Sequence, residues 1–284
     1  MDNNPTSRIP VIRMDGFRET QTAGAEQLIF NEIRGGNFIA KPHKHDFFMI
    51  ILFVKGNGVH MIDSLEYQIA NRQVHVLFPG QIHKWSIETG TEGYQLMIEK
   101  PLLEQFAPYF RFSFTNYQNH PVIRLSEESF DGLTHSFDAI KTELHHQTPL
   151  LQLITAYAGV IAATVSKEAE RSFQEFQVYQ SHPILARFNM LIDESYKEQK
   201  SVSYYAGKLH LTANYLNILC KKHLKVSATQ LINQRIVLEA KRFLQCTSLS
   251  IKEIAYELGY NDHAHFSNFF KSRTAVPPSA FRQK

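Results

Sequence analysis

The chain has 284 residues with a formal net charge of +3, and 43% of its side chains are hydrophobic against 20% charged, ordinary values for a soluble protein long enough to build two domains with their own cores. Its longest apolar run, Phe47 to Val54, is far too short to span a bilayer. Residues 1–13 are polar and lack the basic-then-apolar pattern of a secretory signal, so a cytoplasmic protein is expected.

The charge is unevenly placed. Residues 183–284 carry 15 Lys and Arg against 7 Asp and Glu, whereas residues 1–182 carry 15 against 20. Only the C-terminal part has the balance of a polyanion binder.

In chain order, short β-rich runs come first: Leu28 to Ile33, Phe47 to Val54, Val59 to Ile62, Leu65 to Ile69, Val74 to Phe78 and Gln95 to Glu99. Turn signals at Gly35-Gly36, Gly56-Asn57-Gly58, Asn71, Pro79-Gly80 and Gly90 separate them. Strands of this length and spacing predict a small antiparallel barrel or jelly roll over residues 1–125. Alternation puts His43 and His45 on one strand face, and His83 follows a later turn where it can converge on them. These histidines, with Trp85 and Tyr94, are the expected lining of an apolar pocket for a small organic effector.

Two helices are predicted next, over residues 126–170. Phe130, Leu133, Phe137, Ile140 and Leu144 form the seam of the first. The second carries two seams, Leu150-Leu153-Tyr157-Val160 and Leu151-Ile154-Ala158-Ile161-Val165. One seam packs on the first helix and the other needs a partner, either the barrel or a second subunit; Ile154, Ala158, Ile161 and Val165 are assigned to a dimer interface. Residues 171–182 are polar and are expected to be a linker.

The last hundred residues repeat one pattern. The first copy runs Ala206-x-x-Leu209, a turn to Thr212, then Leu216, Leu219 and Lys221-Lys222; the second runs Ile254-Ala255-x-x-Leu258-Gly259, a turn to Asp262, then Phe266, Phe269-Phe270 and Lys271. Each is a helix-turn-helix, in which a small Ala lets the second helix cross close to the first and apolar residues fill the angle. The outward face of each second helix stays polar, as a helix in a major groove requires. On that face lie Asn214, Asn217 and Ile218 in the first copy and His263, His265 and Asn268 in the second, the expected base readers. Lys221, Lys222, Lys271 and Arg273 follow the two helices and are expected to meet phosphates. A connecting helix over Ala228–Leu244 spaces the two copies. Cys220 and Cys246, without Cys-x-x-Cys spacing, are read as small buried hydrophobes.

The second copy, Ser250-Ile251-x-Glu253-Ile254-Ala255-x-x-Leu258-Gly259-Tyr260-x-Asp262-x-x-x-Phe266-Ser267-x-Phe269-Phe270-Lys271 followed by Pro278-x-x-Phe281-Arg282, resembles the AraC family of bacterial transcription regulators, over about residues 183–282. The resemblance implies an α+β protein: an N-terminal cupin-like antiparallel β-barrel, helices that dimerise, and an all-α domain with two helix-turn-helix motifs over 183–284. It implies double-stranded DNA, a small-molecule effector and a second copy of the chain as partners, with RNA polymerase a possible further one, and neither enzyme activity nor a cofactor. The family often places Gly where this chain has Lys225 and Ala275; a positive φ there costs a side chain about 1 kcal/mol, so a differently shaped tail is expected. Metal-dependent cupins bind a transition metal through a histidine set like His43, His45 and His83, usually with a Glu. Met49 and Ile50 stand where that Glu would be, so no metal is expected. Two alternatives remain open, a metal-dependent cupin enzyme and an effector-independent DNA-binding protein whose barrel is a scaffold.

Overall fold

The computed structural model describes residues 10–63, 65–247 and 249–282, so most of the N-terminal stretch read as lacking a secretory signal lies outside the described residues. Two compact units divide at Gln177 and Val178.

The first unit is built on two sheets. Strands β1 (Val11–Ile12), β4 (Asn37–His45), β9 (Ile82–Ile87), β6 (Gly58–Ile62) and β7 (Leu65–Gln68) form one, in that order. Strands β11 (Val122–Arg124), β8 (Gln73–Leu77), β5 (Phe48–Lys55), β10 (Glu92–Ile98), β3 (Leu28–Arg34) and β2 (Ala23–Ala25) form the other. Every pairing is antiparallel except that of β1 with β4. Met49, Ile51 and Phe53 of β5, Ile62 of β6 and Trp85 and Ile87 of β9 belong to one buried cluster. The alternate β5 residues Phe48, Ile50 and Leu52 are buried as well, so β5 is covered on both faces, which is why it reads as a continuous apolar run rather than an alternating one.

Strand β9 was not expected, and of β4 only the end that carries His43 and His45 was. Pro42 and the His and Lys residues of β4 mask its alternation, and β9, Ile-His-Lys-Trp-Ser-Ile, alternates in burial while its inward positions include a histidine.

Helices α1 (Lys100–Phe106), α2 (Phe114–Asn119), α3 (Glu127–Leu144) and α4 (Leu151–Ser172) complete this unit, so the 126–170 segment belongs to the same compact body as the barrel. Ser126 caps α3 by accepting from the Ser129 N–H. Helix α4 packs on α3, α1 and β11. Its buried stripe is Ile154, Ala158, Ile161 and Val165, the residues expected at a dimer interface. That assignment is corrected: the apolar area of these side chains is already spent inside the chain, and the exposed seam is the other one, with Leu150, Leu153 and Val160 at 54, 38 and 51% exposure.

The expected linker is also corrected. Helix α4 runs to Ser172 and α5 (Gln174–Ser181) follows at once. Phe176 is fully buried against Phe112 and Tyr117, so an aromatic anchor sits inside what reads as a polar stretch.

The second unit holds α6 (Pro183–Ser195), α7 (Val202–Lys208), α8 (Ala213–Leu224), α9 (Ala228–Cys246), α10 (Ile251–Glu257), α11 (His263–Thr274) and α12 (Pro278–Arg282). Helices α6, α8, α10, α11 and α12 all pack on α9. Arg235 of α9 reaches Asp193 of α6 at 2.9 Å and Glu239 one turn on at 2.8 Å, with its guanidinium over the Tyr196 ring. Cys220 is buried as expected; the side chain of Cys246 lies outside those described.

Candidate nucleic-acid interface and barrel interior

The two helix-turn-helix motifs, α7–α8 and α10–α11, are built alike. Ala206 and Ala255, 1% and 0% exposed, sit under the crossing. Each turn passes through a left-handed residue, His210 at φ 56° and Gly259 at φ 70°, and closes with the same bond, Leu211 N–H to the Ala206 carbonyl and Tyr260 N–H to the Ala255 carbonyl, each 2.8 Å. At Gly259 a Cβ would lie 1.9 Å from the Lys197 carbonyl oxygen, so there both the conformation and the space demand glycine. The second turn holds one extra residue, Asn261, before its cap. Thr212 accepts from the Tyr215 N–H and begins α8; Asp262 accepts from the Ala264 and His265 N–H groups and begins α11.

Both second helices end on a left-handed residue without being glycine, Lys225 at φ 60° and Ala275 at φ 64°. The expectation of a differently shaped tail is therefore corrected: the turn is kept and the side chain bears the strain.

Leu216 and Cys220 of α8 and Phe266 and Phe270 of α11 are the buried positions. Between them Asn214, Tyr215 and Ile218 are exposed in one copy and Ala264, His265 and Asn268 in the other, so the outward faces match position for position. His263 is exposed beside Asp262, at the start of α11. Lys221, Lys222, Lys271 and Arg273 are all exposed. Asn217 departs from expectation. It is half-buried, and its Oδ1 accepts the Ala228 N–H at 3.1 Å, so it ties α8 to the start of α9. Tyr215 is the position missed, because an aromatic residue beside Leu216 reads as core; it is 47% exposed.

In the barrel, β4 lies against β9 with His43 opposite His83, and His43, His45 and His83 are 2, 4 and 1% exposed. The expected convergence is present: ring nitrogens of the three lie within 4.8 Å of one another. Two further histidines, His60 of β6 and His75 of β8, are fully buried and extend the group into a file. His45 Nε2 is 2.8 Å from His83 Nε2, His83 Nδ1 2.9 Å from His60 Nε2, and His60 Nδ1 2.9 Å from His75 Nδ1. No sequence spacing marks these two, since they come from strands of opposite sheets. Burial holds all five imidazoles below their ordinary pKa, His45 and His75 down to about 3, so they are neutral at pH 7.

Trp85 is beside this file, 5.4 Å from His60 and 5.9 Å from His83 between ring centroids. Tyr94 is not. It stacks on Phe137 of α3, 5.7 Å away at 22°, on the side of the sheet away from the histidines. It borders instead a cavity of about 500 Å³ that is also lined by Glu32, Arg34, Val54, Thr91 and Glu92.

The AraC-like ligand binding domain family matches residues 28–154 and the helix-turn-helix domain family residues 205–284. An uncharacterized HTH-type transcriptional regulator of Bacillus subtilis, YfiF, is 24% identical over 84% of this chain and 78% of its own. The HTH-type transcriptional activator RhaS of Pectobacterium carotovorum is 21% identical over 85% and 87%. Among solved structures, the C-terminal domain of the two-component response regulator yesN from Fusobacterium nucleatum is 31% identical, covering 34% of this chain and 93% of that one, with a TM-score of 0.32. ToxT of Vibrio cholerae with bound unsaturated fatty acid is 14% identical over 91% and 95%, with a TM-score of 0.40. With its sensor-type barrel matched by the first family and its paired helix-turn-helix motifs by the second, the chain belongs to the AraC family of DNA-binding transcription regulators.

Proposed function

We propose that one chain reads two successive major grooves, with Asn214, Tyr215 and Ile218 of α8 and His263, His265 and Asn268 of α11 at base edges. The observation that carries this reading is the match between the two exposed faces, 214, 215 and 218 against 264, 265 and 268, each framed by buried residues at the same spacing. Asn pairs bidentately with adenine, His donates to guanine, and Ile and Tyr offer apolar surface to thymine methyls. Lys221, Lys222, Lys271 and Arg273 take phosphates, which position the protein without selecting sequence. Helix α9, at 19 residues, is about 28 Å long. DNA bending makes up the difference from the roughly 34 Å between grooves.

Residues 10–177 act as the sensor and residues 178–284 as the DNA-binding domain. The cavity beside Tyr94 has room for a small organic effector, and its Glu32, Arg34 and Glu92 side chains favour a polar one. The barrel histidines lie ring against ring, 4.3–5.2 Å between centroids, and are assigned no part in that pocket. Two chains pair through the exposed seam of α4, centred on Leu153 and Val160. The family's relatives are transcription regulators, and the reading assigns the chain no catalysis.

Selection of bound fragments from a random duplex library by the full chain tests this function. A defined motif with two blocks one helical turn apart is expected. Enrichment of no sequence, with salt-sensitive binding to all duplexes alike, would remove base reading.

A further inference from the structure

The two copies of the helix-turn-helix differ at their turns. In the first, the left-handed position is His210 and Leu211 follows it; in the second, the same two positions are Gly259 and Tyr260. His210 keeps a side chain in that conformation. Gly259 cannot, because the loop between α6 and α7 lies on it: a Cβ there would be 1.9 Å from the Lys197 carbonyl oxygen and 2.9 Å from Lys200 Nζ. A difference of this kind between two copies of one motif serves the junction between them rather than the fold of either.

Lys200 is the centre of that junction. Its ammonium donates to the Lys197 carbonyl at 2.7 Å and to the Gly259 carbonyl at 3.0 Å, and stands 4.7 Å from the centre of the Tyr260 ring. Lys197 and Gly259 each lie two residues past the end of a helix, α6 at Ser195 and α10 at Glu257, where a carbonyl needs a donor from elsewhere. A compact ammonium with three donors suits two carbonyls and an electron-rich ring face. Burial draws its pKa below the ordinary lysine value, so the charge is kept there against a desolvation cost.

Both sides of the contact are fixed. On one side the loop belongs to the first motif: the Tyr205 hydroxyl of α7 donates to the Gln199 carbonyl at 2.6 Å, and Ser201, next to Lys200, caps α7. On the other side the Tyr260 ring is 5.5 Å from His265, 5.5 Å from Phe266 and 5.6 Å from Phe269 between centroids, so it rests directly on α11. Helices α10, α11 and α12 pack on α9, and a body seated on one helix is free to rock about it. An attachment away from that axis removes the freedom.

We propose that Lys200 is a positioning residue that sets the angle of the second reading helix relative to the first motif, and with it the one operator spacing that the chain accepts. The proposal rests on the reading that one chain engages two successive grooves. Without the ammonium, two carbonyls lose their donor, the Tyr260 ring loses its cation, and α11 samples a range of angles. Lys200 thus governs which spacing is bound while the base contacts of each motif stay as they are.

The test uses the full chain and duplexes carrying the motif that it selects from a random library, with a base pair inserted between the two blocks or removed. Wild type is expected to prefer the selected spacing by more than about 100-fold, since a displaced second motif forfeits several base contacts. Lys200→Met should narrow that preference to less than about 10-fold and leave affinity for a duplex with the first block alone unchanged. Lys200→Arg, which keeps the charge, the donors and the contact with the ring, should retain most of the preference. Lys200→Gln, which keeps a donor without the charge, should narrow it too and carries the same comparison if the methionine variant does not fold. A lysine that only stabilises the fold would lower the thermal midpoint and leave the ratio of affinities across the spacing series unchanged; that result overturns the proposal alone. A wild type indifferent to spacing overturns the two-groove reading along with it, so the two failures are distinguishable.

Discussion

On the proposed reading helices, substitution separates the roles assigned to the exposed side chains. Tyr215→Ala and Asn268→Ala are expected to cost about 1–3 kcal/mol at the cognate duplex and to relax preference at one or two base pairs. Lys222→Ala and Arg273→Ala are expected to weaken cognate and scrambled duplexes alike and to lower the salt slope by about one unit each. Equal losses on both duplexes for the first pair would place the wrong face in the groove. Asn217→Ala belongs to neither class. Its amide oxygen holds the first N–H of α9, so its main cost is expected in thermal unfolding, about 0.5–1.5 kcal/mol. Ala275, at φ 64°, predicts the opposite sign: Ala275→Gly relieves left-handed strain and should raise stability by up to about 1 kcal/mol, read from a denaturant midpoint. An unchanged or lowered midpoint would mean the turn is not strained.

For the elements, α4 decides most. Val160→Glu puts a carboxylate on its exposed seam and should split a dimer in sedimentation while leaving the thermal midpoint of the chain nearly unchanged. Ile161→Glu, one residue on, buries that charge between α4 and its neighbours and should unfold the N-terminal unit. A wild type that is monomeric at micromolar concentration would remove the interface. The same helix carries Glu168, whose carboxylate accepts from the Ser126 and Ser129 hydroxyls and pairs with Arg171. Burial pushes its pKa up, but the Ser129, Ser126 and Arg171 hydrogen bonds outweigh that and hold it below the usual carboxylate value. A depressed folded pKa means the contribution is complete above the unfolded value, about 4.3, and is lost as pH falls through the folded one. Wild type should therefore lose stability on acidification below about pH 4.3 more steeply than Glu168→Gln; parallel curves would refute this.

The legibility of these elements in the sequence follows their physics. The helix-turn-helix repeat was readable because each copy needs the same Ala, the same turn and the same apolar spacing. Strand β9 was not, because a histidine and a lysine interrupt its apolar alternation, and β4 was legible only where His43 and His45 alternate. The two seams of α4 could be listed but not ranked, since which apolar stripe faces inward depends on where α3, α1 and β11 lie. His60 and His75 escaped because convergence across two sheets leaves no trace in spacing.

At the scale of the molecule, positive charge collects in the second unit and negative in the first. Residues 178–284 alone are expected to bind duplex DNA with a steep salt dependence, measured by fluorescence anisotropy; a folded fragment that binds nothing at low salt would remove the central assignment. Helix α9 then has a consequence for the operator. Both reading modules pack on this one helix, and Arg235, locked to Asp193 and Glu239, braces it against α6. A strut of that kind has a single length and a single twist. Each base pair inserted between the two contacted blocks advances the second by about 3.4 Å and turns it by roughly 35°, a screw motion that bending DNA does not undo. The operators of this regulator should therefore keep their internal phasing constant to the base pair, while the distance between sites bound by two partner chains remains free to vary.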